Sequence, residues 1–264
     1  MKKDKEKTDK YIEDLEEKIV DLSLQLKSKS NELNSVVETN KKTIGKLVHN
    51  LKNPVGVIFS FSDMIMGSLE DYTTEKLAKH IDIIKNSADF SIKMLNTIAV
   101  YSQVNTPNRE VNLKRINYLE VINNLLKEFE SISIQKTITI KKDFSENEIC
   151  LNIDESELTI ALRNILNNAF RYSGNNTSLK ITIKDNLNSI ETTISDEGIG
   201  ISEENLPHIF NEFFVVNTYS DDKQKCIGLG LTIAKKIIQY FKGNITVLST
   251  IDKGSSFCVY LPKS

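Results

Sequence analysis

Residues 44 to 59 of the chain read IGKLVHNLKNPVGVIF. At about 100° per residue on a helix, the apolar residues of this stretch fall on one stripe. That stripe contains Ile44, Leu47, Val48, Leu51, Val55 and Ile58. His49 points roughly opposite to it, together with Lys46 and Asn53, so its imidazole is expected to face water. The stretch therefore predicts an amphipathic helix with an exposed histidine, and an ordinary solvated surface residue is the alternative interpretation of that histidine.

The flanking sequence extends this helix and adds a second one. The first helix is predicted from about residue 41 to residue 66, and Pro54 is expected to bend it one turn beyond His49. Residues 67–74 (GSLEDYTT) form a turn, and a second amphipathic helix follows over residues 74–103. Such a pair buries half of its apolar surface, and two copies that pair as a four-helix bundle bury the rest. We therefore expect residues 41–106 to be a dimerisation domain.

Residues 1–40 are charged and contain no Gly or Pro. Their apolar residues follow alternating steps of three and four, with Lys29 as a weak place in the seam. These residues are Ile12, Leu15, Ile19, Leu22, Leu26, Leu33 and Val36. The pattern predicts a short parallel coiled coil that leads towards His49. A single amphipathic helix lying on its own domain is the alternative.

The composition excludes several classes of protein. The 264 residues include 34 basic and 36 acidic ones, which gives no case for nucleic-acid or membrane-surface binding. No window approaches the length and apolarity of a transmembrane helix, and the basic N-terminus lacks the apolar core of a secretory signal. The three cysteines are far apart, as is usual in a reducing compartment. We expect a cytoplasmic chain without membrane contact, either free or as the cytoplasmic part of a longer or membrane-bound protein.

After a linker at residues 105–108 (NTPN), the pattern changes to alternating strands and helices. Helices are predicted at 118–131, 155–172 and 229–241. Strands are predicted at 111–116, 137–144, 149–153, 179–187, 189–195, 245–251 and 256–261, with a hairpin between the fourth and fifth. Helices on one face of a mixed sheet make a two-layer α/β sandwich, which we assign to residues 107–264.

The first chemical motif of this domain is LRNILNNAFRYS, residues 162–173. On a helix, Asn164, Asn168 and Arg171 share one face. Amide oxygens suit a hard cation such as Mg²⁺ held between phosphates, and a guanidinium suits the phosphates themselves. An ordinary Asn-containing helix is the alternative for this motif taken alone.

Three further motifs point to the same kind of ligand. SDEGIGI (195–201) places a carboxylate at a strand end, where it can accept from an exocyclic amine, beside glycines that let the backbone approach a flat base. GLGLTIAKKI (228–237) opens a helix whose free N–H groups favour phosphate. The long segment 203–225 carries three phenylalanines and is typical of a lid. Taken singly, the first is also compatible with a tight turn and the second with a plain helix start.

In their order along the chain, the segments 162–173, 195–201, 203–225 and 228–237 resemble the N, D-x-G-x-G, F and G-x-G boxes of the histidine kinase catalytic domain. Residues 44–59 resemble the H-box of its dimerisation and phosphotransfer domain, and the resemblance covers residues 41–262. It implies an α+β fold with an N-terminal coiled coil and an antiparallel helical hairpin, which forms a four-helix bundle in the dimer. A two-layer α/β sandwich that binds ATP follows the hairpin.

The resemblance also implies an activity, namely ATP-dependent autophosphorylation in a homodimer and transfer of the phosphoryl group to the receiver domain of a response regulator. His49 is the implied phospho-acceptor, with Asn50 and Asn53 beside it. For the cation, the implied ligand is Asn168, with Asn164 in support. For the base, Tyr172 is implied to pack on the adenine ring, Asp196 to accept from the amino group of adenine, and Gly198 and Gly200 to shape the pocket. For the phosphates, the implied residues are Arg171, Gly228, Leu229, Gly230 and Leu231. A lid between Phe213 and Gly228 is implied to close over them.

Two residues depart from the family pattern. Asn50 stands where the family commonly has Glu or Asp, and an amide is a poor base, so slower autophosphorylation is expected. Cys226 stands where the glycine-rich lid box often begins with Gly, which could stiffen the lid. Asn53 matches relatives that also dephosphorylate their partner. The alternatives are a catalytically weak ATP-binding signalling module, a response-regulator phosphatase or scaffold, and an ATPase of the chaperone or topoisomerase type.

Overall fold

The computed structural model describes residues 2–144, 148–216 and 226–263. The chain divides into two compact units, Met1–Asn53 and Pro54–Ser264. The two units share helix α1 (Lys2–Gly67), which continues through Pro54.

The first unit consists of helix α1 up to Asn53. Charged side chains and the absence of Gly and Pro over residues 1–40 favour so long a helix. The apolar seam expected of a coiled coil is exposed, with Ile19, Leu26 and Leu33 each more than half accessible. Ile12 of that seam lies outside the described side chains. A seam of this kind is stable in water only when a second helix covers it.

The second unit begins with a helical hairpin. A 3₁₀ turn (Leu69–Asp71) separates α1 from helix α2 (Thr74–Val104). Thr73 is the N-cap of α2, since its Oγ1 accepts a hydrogen bond from the Lys76 N–H at 3.3 Å. The end of the first helix, the turn and both bounds of the second helix confirm the sequence-based prediction to within a residue or two, whereas the predicted start at residue 41 is wrong because α1 is already helical from Lys2.

The remainder of this unit alternates helices and strands. The helices are α3 (Tyr118–Glu128), α4 (Glu130–Lys136), α5 (Glu155–Tyr172) and α6 (Gly230–Tyr240). The strands are β1 (Lys114–Asn117), β2 (Thr139–Asp143), β3 (Cys150–Ile153), β4 (Ser178–Asp185), β5 (Ser189–Asp196), β6 (Asn244–Thr250) and β7 (Gly254–Pro262).

Five strands form a mixed sheet in the order β2-β4-β5-β7-β6. β2 and β4 are parallel, and the other neighbours are antiparallel. In β4, Leu179, Ile181 and Ile183 are buried, while Lys180 and Lys184 on the opposite face are exposed, as expected for a sheet covered by helices on one side. β1 and β3 pair separately as a two-stranded antiparallel ribbon. The predicted mixed sheet with helices on one face is confirmed.

One predicted helix is wrong in its extent. Residues 118–131 were expected to be continuous, but α3 ends at Glu128 and α4 starts at Glu130. The backbone breaks at Phe129, whose ring is buried and stacked on Phe170 with centroids 4.8 Å apart. The packing of the Phe129 ring against Phe170 ends α3. Because Phe170 is distant in sequence, the apolar pattern of residues 118–131 does not reveal this contact. The predicted strand at 111–116 likewise starts later, at Lys114, where pairing with β3 begins.

Candidate active site

A cavity of about 1250 Å³ lies in the second unit. Helix α5, the loop after β5, the start of α6 and residues of the helical hairpin contribute to its lining. Nine of the residues singled out in the sequence line it together: Asn164, Asn168, Arg171, Tyr172, Asp196, Gly200, Gly228, Gly230 and Leu231. These residues are spread over 68 positions of the sequence, from 164 to 231, so the fold is what brings them together.

Helix α5 supplies the polar wall of the cavity. The helix is capped by Asp154, whose Oδ1 accepts from the backbone N–H groups of Ser156 and Glu157 at 3.0 and 3.2 Å. One side of α5 is buried in the core, and its half-buried polar side faces the cavity with Asn164 and Asn168. The resulting wall offers neutral amide groups in place of carboxylates.

Asn164 has a fixed orientation. Its Nδ2 donates to the carbonyl oxygen of Ile160 at 2.9 Å. Its Oδ1 then points towards Gly230, where an added Cβ atom would lie only 2.8 Å from it. The first residue of α6 thus approaches the amide of Asn164 closely because it has no side chain.

Asp196, at the end of β5, is the buried carboxylate of the site and is 8% exposed. Its Oδ1 accepts from the backbone N–H of Gly198 at 2.9 Å and from that of Ser255 at 3.2 Å. Burial raises the pKa of this carboxyl above its ordinary value, and the two backbone hydrogen bonds oppose the shift. The carboxylate is therefore held as an oriented acceptor at the cavity wall.

The loop after Asp196 depends on glycine for its close contacts. Gly200 has φ +69°, and a Cβ atom there would overlap the carbonyl oxygen of Thr250 at 2.0 Å. A Cβ atom on Gly198 would lie 2.4 Å from the carbonyl oxygen of Tyr172, next to the hydrogen bond from Ile199 N–H to the same oxygen at 3.3 Å. The loop is thereby packed against the end of α5.

The side chains at the end of α5 converge on a cysteine. Arg171 Nη1 donates to Cys226 Sγ at 2.8 Å, and the Tyr172 hydroxyl lies 3.5 Å from the same sulfur. Burial raises the pKa of the Tyr172 hydroxyl. The sequence pointed to these three residues separately, but their contact depends on positions more than 50 residues apart and has no local signal.

Helix α6 begins at Gly230 and directs its first turn at the cavity. The Ile233 N–H bonds to the Leu229 carbonyl oxygen, so the N–H groups of the preceding residues have no acceptor within the helix. An anion is favoured at such an end. Two of the predicted nucleotide-binding residues lie outside the cavity lining: Leu229, which is fully buried in the core, and Gly198, which packs behind Tyr172. The predicted lid falls largely on residues 217–225, outside the described residues.

In the first unit, His49 and Asn53 are exposed and Asn50 is half-buried. The exposed imidazole agrees with the sequence-based prediction. The chain's other histidines are engaged locally in the second unit: His80 Nδ1 lies 2.9 Å from the Tyr72 hydroxyl, and His208 Nδ1 lies 3.2 Å from Asn211 Nδ2. Among the described helices, none has the length and apolarity needed to cross a membrane.

Comparison with known proteins finds similarity to one family over part of the chain. Residues 153–264 match the family described as histidine kinase-, DNA gyrase B- and HSP90-like ATPase. The sensor histidine kinase YvrG of Bacillus subtilis is 23% identical over 254 residues, which are 96% of this chain and 44% of YvrG. The sensor protein kinase WalK of Staphylococcus aureus is 25% identical over 88% of this chain and 55% of the relative. The chain thus spans about half the length of these curated relatives.

Solved structures give the same answer for the fold. The histidine kinase ThkA, in complex with the response regulator protein TrrA, has a TM-score of 0.69 at 25% identity, covering 84% of this chain and 61% of that chain. The Acinetobacter baumannii histidine kinase AdeS has a TM-score of 0.63 at 21% identity, covering 82% of this chain and 98% of that chain. Residues 153–264 are thus similar to ATPases of the histidine kinase, gyrase B and HSP90 type, and the chain over most of its length is similar to sensor histidine kinases.

Proposed function

We propose that this chain is an ATP-dependent protein-histidine kinase that phosphorylates itself on His49 and passes the phosphoryl group to an aspartate of a response regulator. The observation that carries the proposal is the convergence of Asn164, Asn168, Arg171, Tyr172 and Asp196 on one cavity. The cavity offers the carboxylate of Asp196 as an acceptor for a base, the guanidinium of Arg171 for phosphate, and the amide oxygens of the two asparagines for a metal ion. An exposed histidine, His49, occurs in the same chain.

The base end of the nucleotide is assigned to Asp196. Its Oδ1 is already engaged by two backbone N–H groups, so the carboxylate is fixed and can accept from the exocyclic amine of adenine. Tyr172 lines the same cavity and supplies an apolar ring face for the base. An amine-specific acceptor favours adenine over guanine, which carries a carbonyl oxygen at the corresponding position.

The phosphate end is assigned to Arg171, to the start of α6 and to the asparagines of α5. The donor set fits Mg²⁺, because amide oxygens are hard ligands and Mg²⁺ in such sites completes its shell with water and phosphate oxygens. Within the described parts of the chain there is no cluster of three or more His, Cys, Asp or Glu residues that would cage a metal. Mg²⁺ held by Asn168, with Asn164 in support, would neutralise charge on the phosphates.

In the transfer step, a ring nitrogen of neutral His49 forms a bond to the γ-phosphorus of ATP, the bond to the β,γ-bridging oxygen breaks, and ADP leaves. The imidazole then gives up its N–H proton. Asn50 can orient the ring through its amide oxygen, but it cannot take this proton as a carboxylate would. Phosphohistidine subsequently donates to the aspartate of the partner, a role that the co-structure of ThkA with its response regulator supports by analogy.

A homodimer is part of the proposal. The hairpin leaves large apolar side chains exposed, among them Phe59 at 70%, Ile92 at 56% and Leu95 at 52%. Pairing of two hairpins into a four-helix bundle would bury this face. We accordingly assign residues 1–40 to a coiled-coil lead, 41–106 to dimerisation and phosphotransfer, and 107–264 to ATP binding.

Asn50 is the feature that favours a second candidate function, a catalytically weak ATP-binding module or a response-regulator phosphatase or scaffold. Incubation with γ-labelled ATP and Mg²⁺ separates the two. Acid-labile, base-stable label on the protein supports the kinase, while bound ATP without label supports the alternative. For the phosphatase, Asn53→Ala should abolish release of phosphate from a phosphorylated receiver domain if Asn53 positions the attacking water.

A further inference from the structure

The end of helix α5 is closed by groups from outside the helix. The last four carbonyl groups of a helix have no partner within it. In α5, the carbonyl oxygen of Ala169 accepts from the N–H and the hydroxyl of Ser173, and that of Tyr172 accepts from Ile199 N–H. The two intervening carbonyl oxygens, those of Phe170 and Arg171, both accept from the ammonium group of the Lys136 side chain.

Lys136 comes from the end of α4, more than 30 residues away in sequence. Its Nζ donates to the carbonyl oxygens of Phe170, Arg171 and Ser173 at 3.1, 3.3 and 3.3 Å. An ammonium group has three N–H donors, and a positive charge at this end of a helix is favoured by the helix dipole. The contact therefore fixes the backbone on both sides of Tyr172.

The position of Lys136 is itself fixed from its backbone. Its carbonyl oxygen accepts from the Asn176 N–H at 3.0 Å, which ties α4 to the segment after α5. Thr137, which follows, has φ +55° and ends α4. Ser133 then bonds Ile138 twice: its backbone carbonyl oxygen accepts from Ile138 N–H at 2.8 Å, and its hydroxyl donates to the Ile138 carbonyl oxygen at 2.6 Å. The ammonium group is thus held from a closed turn.

The backbone that Lys136 holds carries the two side chains that face the ligand. Arg171 and Tyr172 line the cavity, and they meet at Cys226. The carbonyl group of Tyr172 also receives the N–H of Ile199, in the loop that follows Asp196. A shift of this backbone would displace both the phosphate-facing and the base-facing part of the site.

We propose that Lys136 is a positioning residue of the nucleotide site, acting through the C-terminal end of α5 on Arg171 and Tyr172. The inference rests on the proposed function, since it concerns the same cavity. Lys136 also lines that cavity, so the competing role is direct contact between its ammonium group and a phosphate.

The test measures dissociation constants of the full chain for Mg²⁺–ATP and for adenosine in the wild type and in Lys136→Met. If Lys136 positions the end of α5, Lys136→Met should bind both ligands about tenfold more weakly, because the backbone that carries Arg171 and Tyr172 shifts and both the phosphate-facing and the base-facing part of the site are displaced. Lys142→Met is the matched control: Lys142 donates to Asn123 at an exposed position, and its loss should leave both constants unchanged. A loss confined to ATP would indicate direct phosphate contact and overturn the proposal.

A double-mutant cycle separates positioning from general destabilisation. In an Arg171→Met, Tyr172→Leu background, Lys136→Met should change the dissociation constant less than about twofold, because the residues through which it acts are gone. The same tenfold loss in that background would overturn the inference. If Lys136→Met does not fold, Lys136→Gln replaces it in the test, because glutamine keeps an N–H donor without the positive charge. An intermediate loss of affinity is then expected for both ligands.

The outcomes also separate this inference from the function on which it rests. A wild-type chain that binds no nucleotide overturns the proposed function and the inference with it. A wild type that binds ATP, together with a Lys136→Met variant that binds both ligands equally well, overturns the inference alone.

Discussion

Arg109 and Glu157 form a buried, bidentate ion pair, with Nε–Oε1 and Nη2–Oε2 distances of 2.8 and 2.7 Å and side chains that are only 7% and 9% exposed. Arg109 also donates to the carbonyl oxygen of Val104 at the end of α2, and its guanidinium lies 3.9 Å from the ring centroid of Tyr240. The segment that follows α2 is therefore fastened to the first turn of α5 and is not a free linker.

This pair predicts a large cost for removing one partner. Arg109→Met leaves the Glu157 carboxylate buried without its counter-charge, and the free energy of unfolding should fall by about 3–5 kcal/mol. Urea unfolding followed by circular dichroism measures it. Arg163→Met is the matched control, because Arg163 pairs with Glu128 in the same bidentate manner at an exposed position, and a change below about 1 kcal/mol is expected. Equal costs for the two variants would contradict the assignment.

We expect the buried carboxyl of Asp196 to have opposite effects on the free energy of unfolding and on the affinity for ATP. Burial raises the pKa of its carboxyl, so the folded protein holds the proton to a higher pH than the unfolded chain does. The free energy of unfolding contributed by this group is then greatest below the unfolded pKa and falls as the pH rises through the folded pKa. In Asp196→Asn, the amide oxygen keeps both backbone hydrogen bonds, and this part of the pH dependence disappears.

The expected result for Asp196→Asn is an equal or higher free energy of unfolding at pH 7 and an affinity for ATP that falls by at least about tenfold. Unfolding at several pH values and calorimetric titration with ATP measure the two effects. A variant that loses stability at pH 7 while retaining ATP binding would show that the carboxylate has a structural role instead.

Gly230 predicts a loss of binding with little loss of stability. The Cβ atom in Gly230→Ala would lie 2.8 Å from Asn164 Oδ1, so the amide must rotate away from its position at the cavity wall. Because alanine is the better helix former, the fold itself should tolerate the change. We expect affinity for Mg²⁺–ATP to fall about tenfold. Gly174→Ala, whose Cβ atom has no neighbour closer than 4.0 Å, should bind normally.

Asn50 predicts the direction of a change in rate. A carboxylate in Asn50→Asp can accept the imidazole proton, and general-base assistance is commonly worth about 10²-fold or more. Autophosphorylation under single-turnover conditions should therefore become faster at unchanged ATP affinity. An unchanged or lower rate would mean that the proton leaves His49 by another route.

Much of the architecture could be predicted from local sequence. Helix α5 has the predicted bounds because Asp154 caps its start and its apolar residues keep a helical period. The β4–β5 hairpin followed from alternation and from the turn around Asn186. The residues of the nucleotide boxes could be selected because each box lies in one short segment, either with polar side chains at helical spacing, as at 162–173, or with closely spaced glycines, as at 195–201 and 228–237.

The remaining features depend on contacts between distant residues. Arg109 and Glu157 are 48 positions apart, and Lys136 and Phe170 are 34 apart, so no periodic pattern connects them. Phe129 ends α3 because of a ring in α5, which the sequence of α3 does not encode locally. These contacts between distant residues hold the elements that carry the site. They cannot be predicted from short motifs, because a motif includes only residues that are close in sequence.

The chain has three histidines, and we propose that the phosphoryl group is attached to His49. The most direct test incubates the full chain with γ-labelled ATP and Mg²⁺ and compares the wild type with His49→Ala, His80→Ala and His208→Ala. We predict acid-labile, base-stable label on the wild type and on the His80 and His208 variants, and none on His49→Ala. Label that persists in His49→Ala, or a wild type that binds ATP without acquiring label, would contradict the account.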